Sequence, residues 1–481
     1  MRSRALALLL AASTTGAVGC SNPSSEGHSA ATTSASAGAS TTSGDESSLF
    51  AAFEAEGFVT QRGHASSFLI EDCASLSDCY GNNPSSPYLL FSVPAHPERP
   101  ESLPSFPVGD LAKIPAGMEP VVRMTEGEAL VIVGVMPPAA KYVGFTPYLF
   151  ERWSGAEPVD VFASVADTLN HVNLRTTDAG EVAIIATSDR AAADRARAAL
   201  VGDGFAEAAI NELALPRDVL RFGLEASADT VLVLGRVALF ADAAAGQAYL
   251  DDVPLEVFRL TPAQSGAAIV APPRSERGDG TNEDALAGPL EELEAAIFAS
   301  LGAAEWESIA IAGADTVALA IDPERCISTL SSCLGDNSDA AYAAGPITAF
   351  LGAEALTLGE DEAFVVYGVN HAATGKAEYS AAAVYAQAKR AGVLTFNDAD
   401  MVGSAARYLP DHPDVDKLFA FEVRRDCSGH EGCLELSTGF PGVGLDESLF
   451  FMFRAYVNPG LAVSPGPGEL RTERVLKLLS P

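Results

Sequence analysis

The pentapeptide Cys79-Tyr80-Gly81-Asn82-Asn83 returns later in the chain as Cys333-Leu334-Gly335-Asp336-Asn337. Each copy follows a partner cysteine, Cys73 or Cys326. Each also follows an acid-tipped apolar run, Phe68-Leu69-Ile70-Glu71-Asp72 or Ala318-Leu319-Ala320-Ile321-Asp322. Matches continue in the same order. Glu128-Ala129-Leu130-Val131-Ile132-Val133-Gly134-Val135 resembles Glu362-Ala363-Phe364-Val365-Val366-Tyr367-Gly368-Val369. Lys141 and Lys376 follow, then the aromatic-bounded runs Tyr142 to Phe150 and Tyr379 to Tyr385. Asp229-Thr230-Val231-Leu232-Val233-Leu234 echoes Asp416-Lys417-Leu418-Phe419-Ala420-Phe421. Val257-Phe258-Arg259-Leu260-Thr261-Pro262 echoes Met452-Phe453-Arg454-Ala455-Tyr456-Val457-Asn458-Pro459. One such match would be noise, but an ordered series points to a duplicated unit.

The matched blocks are short apolar runs bounded by Gly, Pro and Asn, which is how strands read. Ser188 followed by the run to Leu200, with Gly202 and Gly204 beyond, reads as a capped helix. Leu290, Leu293, Ile297 and Leu301 form the apolar stripe of another. The Ala-rich stretch Ser380 to Arg390 reads as a strand followed by a short helix. The expected fold is mixed α/β (α+β): two related halves, with mixed or antiparallel sheets and flanking helices. The halves span 49–275 and 305–481, joined by a polar linker and helix over 276–304. The linker, Pro272 to Asp284, reads as solvated, since it lacks the spacing of a calcium loop. The first half carries an extra strand and helix at about 181–216.

Three close cysteine pairs, Cys73/Cys79, Cys326/Cys333 and Cys427/Cys433, suit three local disulfides. The alternative for the last pair is a metal site, because Asp426 to Cys433 also offers His430 and carboxylates. Zinc sites space their cysteines more tightly, and no metal is expected. The third pair has no counterpart in the first half, where the matching stretch reads Ala241 to Gln247.

The N-terminus carries Arg2 and Arg4, an apolar run from Ala5 to Ala12, and the box Ala17-Val18-Gly19-Cys20. The apolar run is too short to span a bilayer. This arrangement resembles a bacterial lipoprotein signal. The resemblance implies removal of residues 1–19, acylation of Cys20 and, with Ser21 next, an outer-membrane location. The other reading is ordinary secretion with cleavage near Ala17, which leaves Cys20 as a free thiol. Residues 20–48 form a tether. Of the 27 residues from 21 to 47, 13 are Ser or Thr, a composition that cannot bury a core and gives a leash of roughly 30 Å.

Without residues 1–19 the chain holds 28 basic against 64 acidic residues, 28 − 64 = −36. Such a polyanion is repelled by nucleic acid and anionic lipid, so nucleic acid is excluded as a partner. No G-x-S-x-G elbow and no H-E-x-x-H helix occurs, and no cofactor is expected. His371, in a loop after a strand, is the best-placed histidine. Lys141 and Lys376 are two of only six lysines and fall in nearly the same register of the repeat. Each could hold an anionic ligand, or serve in a salt bridge. The function these residues suggest is a non-enzymatic, membrane-anchored envelope lipoprotein that binds a small ligand or an envelope protein. The alternative is an envelope hydrolase with its site between the halves, near His371 and Lys376.

Overall fold

The computed structural model describes residues 46–102, 113–155, 157–300, 307–309, 317–319, 321–345, 355–466 and 468–479. The expected signal peptide, Cys20 and nearly all of the tether lie outside the described residues, as does Leu301. Residues from Asp45 onward form one compact unit, so the two halves are not separate bodies.

Each half contributes ten principal strands. In the first these are β1 (Phe58–Arg62), β2 (His64–Phe68), β3 (Tyr88–Pro94), β4 (Ala129–Val135) and β5 (Ala140–Ser154), then β6 (Glu157–Ser164), β7 (Glu181–Thr187), β8 (Ile210–Ala214), β9 (Thr230–Phe240) and β10 (Leu255–Pro262). In the second they are β11 (Glu307–Ile309), β12 (Val317–Ala318), β13 (Ala340–Gly345), β14 (Ala363–Val369) and β15 (Tyr379–Ala386), then β16 (Ala391–Asn397), β17 (Leu418–Arg424), β18 (Cys433–Glu435), β19 (Leu449–Tyr456) and β20 (Arg474–Leu479). One sheet of the first half runs β1-β10-β4-β7-β8, and its equivalent runs β11-β20-β14-β17-β18. The other runs β2-β3-β9-β5-β6, and its equivalent runs β12-β13-β19-β15-β16. Every principal strand therefore has a counterpart ten places on, and the first half adds three two-residue strands, Met118–Glu119, Val121–Val122 and Leu169–Asn170. The fold is mixed α+β and internally duplicated, with one parallel pair per half, β7·β8 and β17·β18, in otherwise antiparallel sheets.

Layering follows from side-chain alternation. Helix α1 (Glu46–Ala55) and helix α2 (Arg190–Gly202) cover the outer face of the first sheet, where Phe53, Ala192, Ala196 and Leu200 meet Val131, Ile185 and Phe258. The inner residues Leu130, Ile132, Ile184 and Val257 pack on Phe91, Phe145, Val231 and Val233 of the second sheet. Helix α4 (Ala287–Ser300) does for the second half what α1 does for the first, burying Leu290, Leu293 and Ile297; α3 (Ala243–Asp251) lies between them in sequence. The β9 and β19 strands are buried on both faces, which is why they read as apolar runs interrupted by a single charged residue, Arg236 or Arg454.

Several sequence expectations need correction. Asp229 to Leu234 begins β9, whose counterpart is β19, and Asp416 to Phe421 leads into β17, whose counterpart is β7. Likewise Val257 to Pro262 lies in β10, whereas Met452 to Pro459 lies in and after β19. Short apolar runs are interchangeable as patterns, and only the ladder fixes which is which. The correct alignment equates Arg236 with Arg454. β9 places Arg236 opposite Tyr88 and Gly144, and β19 places Arg454 opposite Tyr342 and Ala381. Leu239 and Val457, three residues after each arginine, share a left-handed backbone with φ of 53° and 55°. On this alignment Lys141 corresponds to Glu378, not Lys376. Ser380 to Arg390 forms β15 and a turn without a helix. The cap before α2 is Asp189, whose carboxylate accepts from Ala192 N at 2.8 Å.

The strands over 181–216 are not an insertion, since β7 and β8 have counterparts in β17 and β18. Only helix α2 is extra. Parallel neighbours ordinarily need a long crossover, usually helical, and α2 supplies it in the first half. The second half joins its parallel pair through Arg425 to Gly432, closed by the disulfide Cys427–Cys433. The other two bridges, Cys73–Cys79 and Cys326–Cys333, also form as the spacing predicts.

A duplicated ion pair has diverged in burial. Arg259 on β10 donates to Glu128 at 2.7 Å and 3.2 Å with both side chains fully buried. Lys477 and Glu362 make the equivalent pair at 2.8 Å, with exposures of 13% and 22%. Glu128→Gln leaves a buried guanidinium uncompensated and is expected to cost about 3–5 kcal/mol, whereas Glu362→Gln should cost about 1 kcal/mol or less. Urea unfolding of the two variants checks this, and equal losses would contradict it.

Candidate functional site

The repeated pentapeptides sit where the two halves meet. Tyr80 and Gly81 have φ of 53° and 73°, and Leu334 and Gly335 have 53° and 68°, so both loops make the same left-handed turn. Glycine is required in the second copy, because a Cβ on Gly335 would lie 2.6 Å from the Phe162 ring. Each turn hydrogen-bonds to the opposite half. Cys79 N and Gly81 N donate to Lys389 O and Arg390 O at 2.7 and 2.9 Å, while Cys333 N and Gly335 N donate to Val161 O and Phe162 O at 2.8 and 2.9 Å.

Side chains repeat the exchange. Arg236 donates to Gly335 O at 2.8 Å, and Arg454 donates to Gly81 O at 2.9 Å. The Tyr148 hydroxyl donates to Asp336 O at 2.9 Å, and its counterpart Tyr385 donates to Asn82 O at 2.5 Å. Asp336 accepts from Ser164 N, as Asn82 accepts from Gly392 N, each at 2.8 Å. What one half gives it also receives, as in an isologous dimer interface. Each guanidinium lies near two tyrosine rings of its own half, Arg236 by Tyr88 and Tyr148 and Arg454 by Tyr342 and Tyr385, at 5.4–5.8 Å.

Between the loops lies a cavity of about 80 Å³. Its walls are mainly apolar, with Phe68, Leu90, Phe150 and Leu234 from the first half and Ile321 and Met452 from the second. Arg236, Arg454, Tyr342 and Tyr456 also face it. Arg236 and Arg454 are buried, and no carboxylate pairs with either among the described residues. Burial pushes the carboxyls of Asp336 and Asp339 upward, against the hydrogen bonds that Ser164 donates to the one and Asn170 and Tyr142 to the other.

No family model and no curated protein matches this chain. Among solved structures it is similar to an uncharacterised protein from Burkholderia cenocepacia, with a TM-score of 0.38 at 13% identity, covering 90% of this chain and 87% of that one. A protein from Vibrio parahaemolyticus gives 0.31 at 9% identity, covering 74% of this chain and 86% of that one. Neither likeness assigns a role.

The candidate ligand-binding residues lie outside this cavity. Lys141 pairs with Asp398 of the second half. Lys376 donates to Asp279 at 2.7 Å, to Glu469 at 2.9 Å and to Thr281 O at 3.0 Å. The linker is largely exposed, as expected, yet docked at Asp279, Thr281 and Glu283, since the carboxylate of the first and the carbonyl of the second close around the ammonium. His371 is held on both sides: Nδ1 lies 3.0 Å from Glu283 and Nε2 lies 3.1 Å from Glu473. Glu283 also accepts from Thr374 at 2.6 Å and from Arg471 N at 2.8 Å. Cys79 and Cys333 do reach the cavity, through their loops. Sequence reasoning missed Arg236 and Arg454, since Arg454 was matched to Arg259. Aligning Gly235-Arg236-Val237-Ala238 with Phe453-Arg454-Ala455-Tyr456 would have found the pair.

Burial would lower the His371 pKa, but Glu283 and Glu473 overcome it and raise it to about 10. The folded value lies above the unfolded one of about 6.5. The imidazolium therefore adds stability that is fully present below pH ~6.5 and is lost as pH rises toward 10. His371→Gln should flatten the decline of stability across this alkaline window, as read by denaturant midpoints at stepped pH. An unchanged slope would contradict the assignment.

Proposed function

We propose that this protein is a non-enzymatic binding protein of the cell envelope, held at the outer membrane by lipid on Cys20, with its ligand site in the cavity between the two halves. The observation that carries the reading is that cavity: apolar, bounded by the repeated loops, and faced by two buried arginines that lack carboxylate partners. Paired homologous units commonly enclose their ligand where they meet. The residues that would serve a hydrolase are occupied, His371 by two glutamates and Lys376 by two carboxylates. The lipobox-like run before Cys20 and the Ser/Thr-rich leash support anchoring.

In a bacterial host, a palmitate analogue should label the protein and bring it to the membrane fraction. Cys20→Ser should abolish the label and release the protein. Labelling of the variant, or a wild type left in the soluble fraction, would refute the anchor. Ligand binding is tested by thermal shift of the Cys20→Ser chain against small apolar molecules. Saturation at a hundred times Kd adds about 2.7 kcal/mol. A hit abolished by Leu234→Trp, which fills the cavity, supports the site. A hit that survives it places the ligand elsewhere.

A further inference from the structure

Arg454 and Tyr342 form part of a wall shared by two cavities. On one side is the apolar inter-half cavity of about 80 Å³. On the other is a second cavity of about 200 Å³, where Arg277, Arg471 and His371 also face the space, as does Glu473, which is paired with His371. Arg454 is only 5% exposed, and its guanidinium donates to the Gly81 carbonyl but pairs with no carboxylate among the described residues. Arg277 donates to the carbonyls of Asn337 and Ala340 and likewise meets no carboxylate. Arg471 pairs with Asp284 through one nitrogen, while its buried Nε has no hydrogen-bond partner. No hydrogen bond to the Tyr342 or Tyr456 hydroxyl is found among the described residues.

A buried cation without a counter-ion is costly, and Arg454 is one, with the partly buried Arg277 and Arg471 beside it, in a protein of net charge −34. The smaller cavity adjoins them with apolar walls and has about half the 150 Å³ that holds a benzene ring in an engineered cavity. That size suits a short chain and not a phospholipid. A fully hydrophilic anion would leave the apolar chamber unfilled, and a hydrocarbon would leave the guanidinium unpaired. We propose that the two cavities form one site for a short-chain amphipathic carboxylate, its alkyl chain between the halves and its carboxylate against Arg454, with Arg277 and Arg471 beside it. This rests on the reading of the inter-half cavity as a ligand site and names the class of ligand.

The test is calorimetric titration of the chain from residue 20, carrying Cys20→Ser, with hexanoate, 1-hexanol and acetate at pH 7. Hexanoate should bind one to one, about tenfold or more tighter than hexanol or acetate, because only it makes both the charged and the apolar contacts. Arg454→Met should reduce hexanoate to the affinity of hexanol and leave hexanol unchanged. Should that variant fail to fold, Tyr342→Phe removes only a hydroxyl from the shared wall and should weaken hexanoate about threefold, roughly one neutral hydrogen bond, without affecting hexanol. Hexanol binding as tightly as hexanoate, or folded variants that do not distinguish the two, would overturn the carboxylate assignment and leave the cavity reading standing. Binding of neither hexanoate nor hexanol would overturn both.

Discussion

Two hydrogen bonds, from Arg236 to Gly335 O and from Arg454 to Gly81 O, hold the interior together. A charged donor to a carbonyl contributes about 1.5–3 kcal/mol, and losing it would strand a buried acceptor. The geometry around them follows from that requirement. Each carbonyl must turn toward the opposite half, so each loop adopts the left-handed pair ending in glycine. Each arginine must leave a strand midway and face across the interface, so β9 and β19 alternate between a packed inner face and a partner-facing one. The tyrosines provide π faces for cations that have no carboxylate, and the disulfides close the segments that lead into the two turns.

The duplication was legible because the turns need particular residues. Cys-x-Gly-x-Asn survives in both copies because a bridge, a left-handed glycine and an amide that packs into the other half leave little freedom. The run from Glu128 was legible for a similar reason, since its glutamate accepts from Thr125 N and its counterpart Glu362 accepts from Gly359 N, each at 2.6 Å. The later strands were not legible in register. Runs of Val, Leu and Phe buried on both faces carry no alternation to anchor them, and two segments with an arginine after phenylalanine were equated although they belong to different sheets. The site was lost with that register, because its two arginines become a pair only in the correct one. The loop residues that looked chemical, His371 and Lys376, instead fasten the linker, a role that depends on the distant Glu283 and Glu469.

The halves have diverged where the interface tolerates it. A helix crosses between parallel strands in one and a stapled loop in the other. A fully buried arginine–glutamate pair in one half matches a partly exposed lysine–glutamate pair in the other. At the interface, Ser85 bonds to the Tyr379 hydroxyl at 2.7 Å where the other half sets Asp339 against Tyr142 at 3.0 Å. The second cavity adjoins Arg454.

A single half, taken alone, would show its neighbour the same surface that a copy of itself would need, so the ancestral unit is well matched to a homodimer. In a homodimer every substitution in the cavity appears twice, and the site can only suit ligands that look alike from both ends. Covalent fusion removes that restriction. Once joined through the docked linker, one copy is free to keep its oily wall while the other acquires charge, and the shared space gains a head and a tail.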